Sequence, residues 1–190
     1  MAGDAATVLV VDDDPVVVDR FGSWLAEDYG VRTALDGETA LAAADDADVV
    51  LLDRRLPDLA GKEVASRIFQ DEDRPVVAMV SGVTPDTDIV ELPCDDYLVK
   101  PLTEVSLRDA VDRLVRRAEY EDILAEYTTL ASKRATLESN QPMDELVTNP
   151  GYDRLCDRCE SLREELDGIV RGFEAEDFET AFQAPEFGVD

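Results

Sequence analysis

The sequence predicts an α/β domain built on a doubly wound, five-stranded parallel sheet, followed by an α-helical hairpin or coiled-coil domain. Three observations predict it. Short apolar runs alternate with helix-length amphipathic segments over the first 118 residues. The apolar runs end in polar groups: Asp12 and Asp13, Asp53, Ser81, and Lys100. Beyond residue 118 the apolar positions recur at spacings of 3 and 4. Strand–helix alternation implies parallel strands with helices on both faces. In such a sheet the carboxyl ends of the strands share one edge, and that edge binds ligands.

The elements follow in order. Thr7-Val8-Leu9-Val10-Val11 is a buried strand running into Asp12-Asp13-Asp14-Pro15. Asp14 suits a helix cap and Pro15 a first helical position, with the helix reaching about Asp28 before Gly30 breaks it. Val31 to Ala34 is a second strand, Asp36-Gly37 a turn, and Glu38 to Ala44 an alanine-rich helix. Val49-Val50-Leu51-Leu52 is apolar throughout, so it reads as a strand buried on both faces, and it ends in Asp53-Arg54-Arg55-Leu56-Pro57. Gly61 to Gln70 is a helix with Val64 and Ile68 inward, and Pro75 to Val80 is a fourth strand ending in Ser81-Gly82. Pro85 and Pro93 bracket a segment with room for about one helical turn. Tyr97-Leu98-Val99 is a fifth strand, followed by Lys100-Pro101, and Thr103 caps a helix carrying Leu107, Ala110, Val111 and Leu114.

Composition narrows the function. The chain has 45 acidic and 18 basic residues, a net charge of −27, and only Lys62, Lys100 and Lys133 are lysines. With 45% hydrophobic residues and intact periodicity, the charge does not signal disorder. It fits the surface of a protein from a salt-loving organism, where concentrated salt screens self-repulsion. It argues against binding nucleic acid or an anionic membrane. No histidine is present, so histidine-based catalysis is excluded. Three cysteines are too few for a disulfide framework. No apolar run is long enough to span a membrane, and residues 1–7 carry no signal-peptide pattern, so a cytoplasmic protein is expected.

Carboxylates gathered at one sheet edge repel each other unless they hold a hard divalent cation, and Mg2+ favours few carboxylates with several waters. Lysine adds a point charge for an anion, and serine adds a hydroxyl. Such a set around Asp53 is a site for moving a phosphoryl group onto a carboxylate.

Val10-Val11-Asp12-Asp13, Leu51-Leu52-Asp53 with Pro57, Val80-Ser81-Gly82 and Tyr97-Leu98-Val99-Lys100-Pro101 together resemble the receiver domain of two-component response regulators. The likeness covers about residues 6–118. It implies the flavodoxin-like strand order 2-1-3-4-5. It implies that Asp53 accepts phosphate from a sensor histidine kinase. Asp12 and Asp13 would be the acidic pair, with Mg2+ (or Mn2+) on Asp13, Asp53 and the Arg55 carbonyl. Ser81 and Lys100 would bind phosphoryl oxygens, Tyr97 would be the switch aromatic, and a cis bond would precede Pro101. Two departures stand out. The proline-bracketed 83–96 segment implies a shortened fourth helix, which puts the family's usual homodimer in doubt. Arg55 lies two residues after the acceptor, where it is expected to tune the lifetime of the phosphorylated form.

From Thr103 to Ser139 there is no proline or glycine, so the last helix is expected to run on. Ile123, Tyr127, Leu130 and Leu137, then Leu155, Cys159, Leu162, Leu166, Ile169 and Phe173, form heptad-like stripes on either side of a break. Tyr120 to Phe173, including Leu130 to Glu138, resembles the HalX domain appended to haloarchaeal receivers. The expected organisation is a receiver over 1–118, a HalX-like domain over 119–174 and a loosely ordered acidic tail over 175–190. Residues 119–190 hold 6 basic and 19 acidic residues, a net of −13, with no basic cluster for DNA. A partner protein is the expected target of these helices. DNA binding is the alternative, and a metal-dependent aspartyl phosphohydrolase is a second. The phosphohydrolase reading lacks a second aspartate two residues after Asp53, where Arg55 stands.

Overall fold

Strands β1 (Thr7–Val11), β2 (Gly30–Ala34), β3 (Val49–Asp53), β4 (Val76–Ser81) and β5 (Asp96–Val99) pair in parallel in the order 2-1-3-4-5. The computed structural model describes residues 5–71, 74–83 and 90–182, with side chains to residue 171. The register sets Val11 beside Leu52, Asp53 beside Val80 and Ser81 beside Val99. Asp53 and Ser81 therefore close their strands at one edge, with Asp12 and Lys100 one residue past β1 and β5. β3 is central and buried along its whole length, as its unbroken apolar run requires.

Helix α1 (Pro15–Leu25) starts as expected, with the Asp14 carboxylate accepting from the Val16 amide. It ends three residues short of Asp28, and Gly30 opens β2. Helix α2 (Gly37–Ala44) is capped by Asp36, which accepts from the Thr39 amide at 2.7 Å. Helix α3 spans Gly61–Ile68. Two cores flank the sheet. On one face Val18, Phe21 and Leu25 of α1 and Leu107, Ala110, Val111 and Leu114 of helix α4 (Glu104–Asn140) pack on Val8, Val10, Leu51 and Ala78. On the other, Ala40, Ala44, Val64, Ala65 and Ile68 cover Leu9, Val11, Val50, Leu52 and Met79. Removing a buried leucine from such a core costs about 2–5 kcal/mol.

The expected shortened helix falls on residues 84–89, outside the described residues. On the described side, residues 90–91 have 3-10 conformation before β5. The Lys100–Pro101 bond is cis.

The chain divides into compact units at 1–118 and 119–190. Helix α4 continues without a break across residue 118, since nothing in its sequence stops it. In the second unit, helices α5 (Met143–Leu146) and α6 (Pro150–Phe182) follow. Glu126 accepts from Arg158 at 2.7 and 2.9 Å, and Glu138 accepts from the Tyr152 hydroxyl at 2.7 Å. Later residues of α4 thus meet earlier residues of α6, which makes an antiparallel hairpin. Among the described residues Leu146, Cys159 and Leu162 are its buried ones, while Ile123, Tyr127, Leu130, Leu155 and Leu166 are half-buried. The tail expectation needs correcting. Helix α6 extends to Phe182, past residue 174, because no proline follows before Pro185 and the intervening residues are rich in helix-favouring Glu and Ala.

Candidate functional site

Each functional side chain is delivered by the end of a strand. Asp12 follows β1 and is 3% exposed; Asp53 ends β3 at 8%; Ser81 ends β4 at 3%. Among the described residues these are the only polar or charged ones buried as whole residues, backbone and side chain together. A buried charge persists only when it is paired, so a partner is required. Lys100 is that partner. Its Nζ donates to Asp12 Oδ2 at 2.5 Å and to Asp53 Oδ1 at 2.6 Å. Burial works to lower the Lys100 pKa, but hydrogen bonds to Asp12 and Asp53 and their charges outweigh it, so the pKa is raised. The ammonium is therefore firmly protonated at neutral pH.

The other oxygens are held as well. Asp53 Oδ2 accepts from the Arg55 amide at 2.6 Å, and Asp12 Oδ1 accepts from the Asp14 amide at 3.0 Å. Ser81 is tied to its neighbours through its backbone carbonyl, which accepts from the Lys100 amide at 2.8 Å, and through Oγ, which accepts from the Val83 amide at 3.2 Å. Tyr97 is half-buried in β5, and its hydroxyl donates to the Val83 carbonyl. Arg55 is exposed.

Asp12, Asp53, Ser81 and Lys100 are thus assembled at one edge. Asp13 is exposed, and among the described residues no three acidic side chains form a ready cation cage. The two buried carboxylates are instead bridged by the Lys100 ammonium. One ammonium against two carboxylates leaves one negative charge uncompensated. Hard oxygen donors with residual negative charge suit Mg2+, which takes one or two carboxylates and keeps several waters.

A family model for the response regulator receiver domain matches residues 8–112. The chain belongs to the response regulator receiver family. A HalX domain model matches residues 116–182 behind the receiver. A Haloferax volcanii protein named "Putative transcriptional regulator" is 42% identical over 171 residues, 89% of this chain but 29% of that protein. The transcriptional regulatory protein CpxR of Klebsiella pneumoniae is 33% identical over 149 residues, covering 76% of this chain and 61% of CpxR. The chain thus spans less than two thirds of either relative. The response regulator TrrA of Thermotoga maritima, solved with Mg2+ and a beryllium fluoride, shares 30% identity at a TM-score of 0.52, over 57% of this chain and 98% of TrrA. The receiver's strand order and the polar strand ends agree with this membership, and among the described residues no helix is long and apolar enough to cross a membrane.

Three features of the receiver site carry no local sequence signal. Asp58 reaches across to the first amides of α2, 20 and 21 residues away. Gly61 sits so close to β3 that a Cβ there would lie 2.2 Å from the Asp53 carbonyl oxygen. Val83 links Ser81 to Tyr97 through its backbone, which no side-chain motif could reveal.

Proposed function

We propose that the receiver accepts a phosphoryl group on Asp53 from a phosphohistidine of a sensor kinase, with Mg2+ bound, and so switches the HalX hairpin. The observation that carries this reading is Lys100 bridging Asp12 and Asp53 at 2.5 and 2.6 Å. It supplies a cation at the acceptor and a carboxylate set that can take a metal. Phosphoryl transfer asks mainly for positioning and charge neutralisation.

A carboxylate oxygen of Asp53 forms the new bond to phosphorus as the phosphorus–nitrogen bond of the donor breaks, and the imidazole leaves with that electron pair. Bound Mg2+ supplies further neutralisation of the charge on the transferring group. Asp12, Asp53, the exposed Asp13 and the backbone carbonyl of Arg55 are the groups that would hold it. Lys100 exchanges its contact with Asp53 for a phosphoryl oxygen, and the Ser81 hydroxyl donates to another. Ser81 Oγ leaves the Val83 amide to do so, and the Val83 carbonyl carries the change to Tyr97. The Arg55 side chain governs how readily water reaches the phosphoryl group, and so how long it lasts. The chain is an acceptor with slow self-dephosphorylation and turns over no external substrate.

The hairpin is the output. Its net charge of −13 over residues 119–190 favours a partner protein over nucleic acid. The names of the relatives, transcriptional regulators, support the second reading, that the output engages DNA. Gel shifts at high salt, with and without phosphorylation, separate the two: sequence-specific binding rejects the partner-protein reading. Mass spectrometry after treatment with acetyl phosphate and Mg2+ tests the switch itself. A hydroxylamine-labile adduct on Asp53 is expected, and its absence overturns the proposal.

A further inference from the structure

The loop that follows the acceptor is held at both ends. At its stem, the Gly61 amide donates to the Arg54 carbonyl at 3.0 Å, and Arg55 and Ala60 pair in an antiparallel bridge. There the Arg55 amide fixes Asp53 Oδ2 at 2.6 Å. At its tip, Asp58 grips helix α2 with both oxygens. Oδ1 accepts from the Gly37 amide at 2.8 Å and Oδ2 from the Glu38 amide at 3.0 Å. These amides belong to the first turn of α2 and have no partner inside the helix. The Gly37 amide, joined by the Glu38 amide and outweighing the opposing effect of burial, holds the Asp58 carboxyl below its usual range, so the grip is ionised at neutral pH. The junction is also sterically tight: a Cβ on Gly37 would lie 2.8 Å from Leu59 Cβ and from Val64 Cγ2.

We propose that Asp58 is a positioning residue for phosphoryl acceptance: by pinning the loop tip to α2 it fixes the Arg55 backbone, and through it the orientation of the Asp53 carboxylate. Asp53 has two fixed donors, Lys100 on one oxygen and the Arg55 amide on the other. The second belongs to the loop that Asp58 pins. A loop freed at its tip lets that amide drift, and the carboxylate then samples orientations away from the donor phosphorus. The Arg55 carbonyl drifts with its peptide unit and weakens the metal site in parallel. This inference rests on the phosphoacceptor reading above.

Helix α2 has a second cap that serves as an internal control. Asp36 accepts from the Thr39 amide at 2.7 Å and stabilises the same helix end through a bond that involves no residue of the acceptor loop. The experiment compares the full-length wild type with Asp58→Ala, Asp58→Asn and Asp36→Ala. Three quantities are read: the rate of Asp53 modification by acetyl phosphate, the Mg2+ dissociation constant by calorimetry, and the urea midpoint. Asp58→Ala is expected to slow modification about tenfold or more, the scale of a sub-ångström misplacement, and to raise the Mg2+ constant. Asp58→Asn, with one carbonyl acceptor left, falls between. Asp36→Ala lowers the urea midpoint comparably and leaves rate and Mg2+ constant unchanged. The proposal is overturned if Asp58→Ala keeps both wild-type values, or if Asp36→Ala shifts both as far. Should Asp58→Ala not fold, Asp58→Asn decides: slower modification supports the proposal, a wild-type rate rejects it. A wild type that neither binds Mg2+ nor takes up phosphate removes the functional reading itself, and this inference with it.

Discussion

The hydroxyl of Tyr97 donates a 2.9 Å hydrogen bond to the backbone carbonyl of Val83, whose own amide donates to Ser81 Oγ. Three residues on two strand ends and the loop between them are thereby connected from the site to the β5 surface. Nuclear magnetic resonance of the Tyr97 ring on adding beryllium fluoride and Mg2+ checks the connection. A clear shift is expected in the wild type and little or none in Ser81→Ala. An equal shift in both would show that Tyr97 responds by another route.

Lys100 bridges two buried carboxylates and offsets one of their two charges, so its loss leaves both uncompensated. Removing one member of such a group costs about 3–5 kcal/mol when burial is complete. Lys100 retains 23% side-chain exposure, so the cost is expected to be smaller, about 1–3 kcal/mol. Urea unfolding of Lys100→Met checks this. Millimolar Mg2+ is expected to restore part of the loss, because a divalent cation takes over the neutralisation. Asp53→Asn removes one of the two charges instead and is expected to hold or gain stability while losing the adduct.

At the opposite end of the sheet, Asp95 is 4% exposed at its side chain and is held by Arg74 at 2.6 and 3.0 Å and by Arg117 at 2.8 Å. Burial alone would raise its pKa. Hydrogen bonds from Arg74 and the Val77 amide, with the charges of Arg74 and Arg117, outweigh it and lower the pKa. A lowered folded-state pKa contributes stability that is present above the unfolded value of about 3.9 and is lost as pH falls through the folded value. Asp95→Asn is therefore expected to be destabilised at neutral pH and to show a flatter stability profile below about pH 4. Parallel urea titrations at several pH values measure it. Unchanged acid sensitivity would assign the pH dependence to other carboxylates.

Gly61 leaves no room for a side chain, with a would-be Cβ at 2.2 Å from the Asp53 carbonyl oxygen. Gly61→Ala is expected to cost about 3 kcal/mol by overpacking. It should also slow modification of Asp53, because the backbone that must yield is that of the acceptor. Thermal melts and the acetyl phosphate assay report on the two effects separately.

The net charge of −27 predicts a salt requirement. Raising salt from about 0.1 M to about 1 M shortens the screening length from about 10 Å to about 3 Å and relieves self-repulsion. The melting temperature is expected to climb across that range. Constant stability from dilute buffer upward would remove the salt-adapted reading of the surface.

Period and punctuation made much of the receiver legible in its sequence. The unbroken apolar run Val49–Leu52 marked a strand buried on both faces, and Pro15 after Asp14 marked a helix start. Asp12, Asp53, Ser81 and Lys100 were readable because parallel strands share a direction, so four strand ends share an edge. Helix ends were less legible, as α1 shows by stopping at Leu25 and α6 by continuing to Phe182, since fraying and composition decide them gradually.

The sequence alone therefore determined which chemistry could gather at the sheet edge: carboxylates, one lysine, one hydroxyl and no imidazole. The tertiary structure decided how those groups are held. It placed Lys100 between Asp12 and Asp53, left Asp13 exposed, and fastened the acceptor loop to α2 through Asp58. Strand ends follow from local periodicity, whereas a lysine 47 and 88 residues from its carboxylates, or a cap 21 residues from its helix, exists only once the chain has closed on itself.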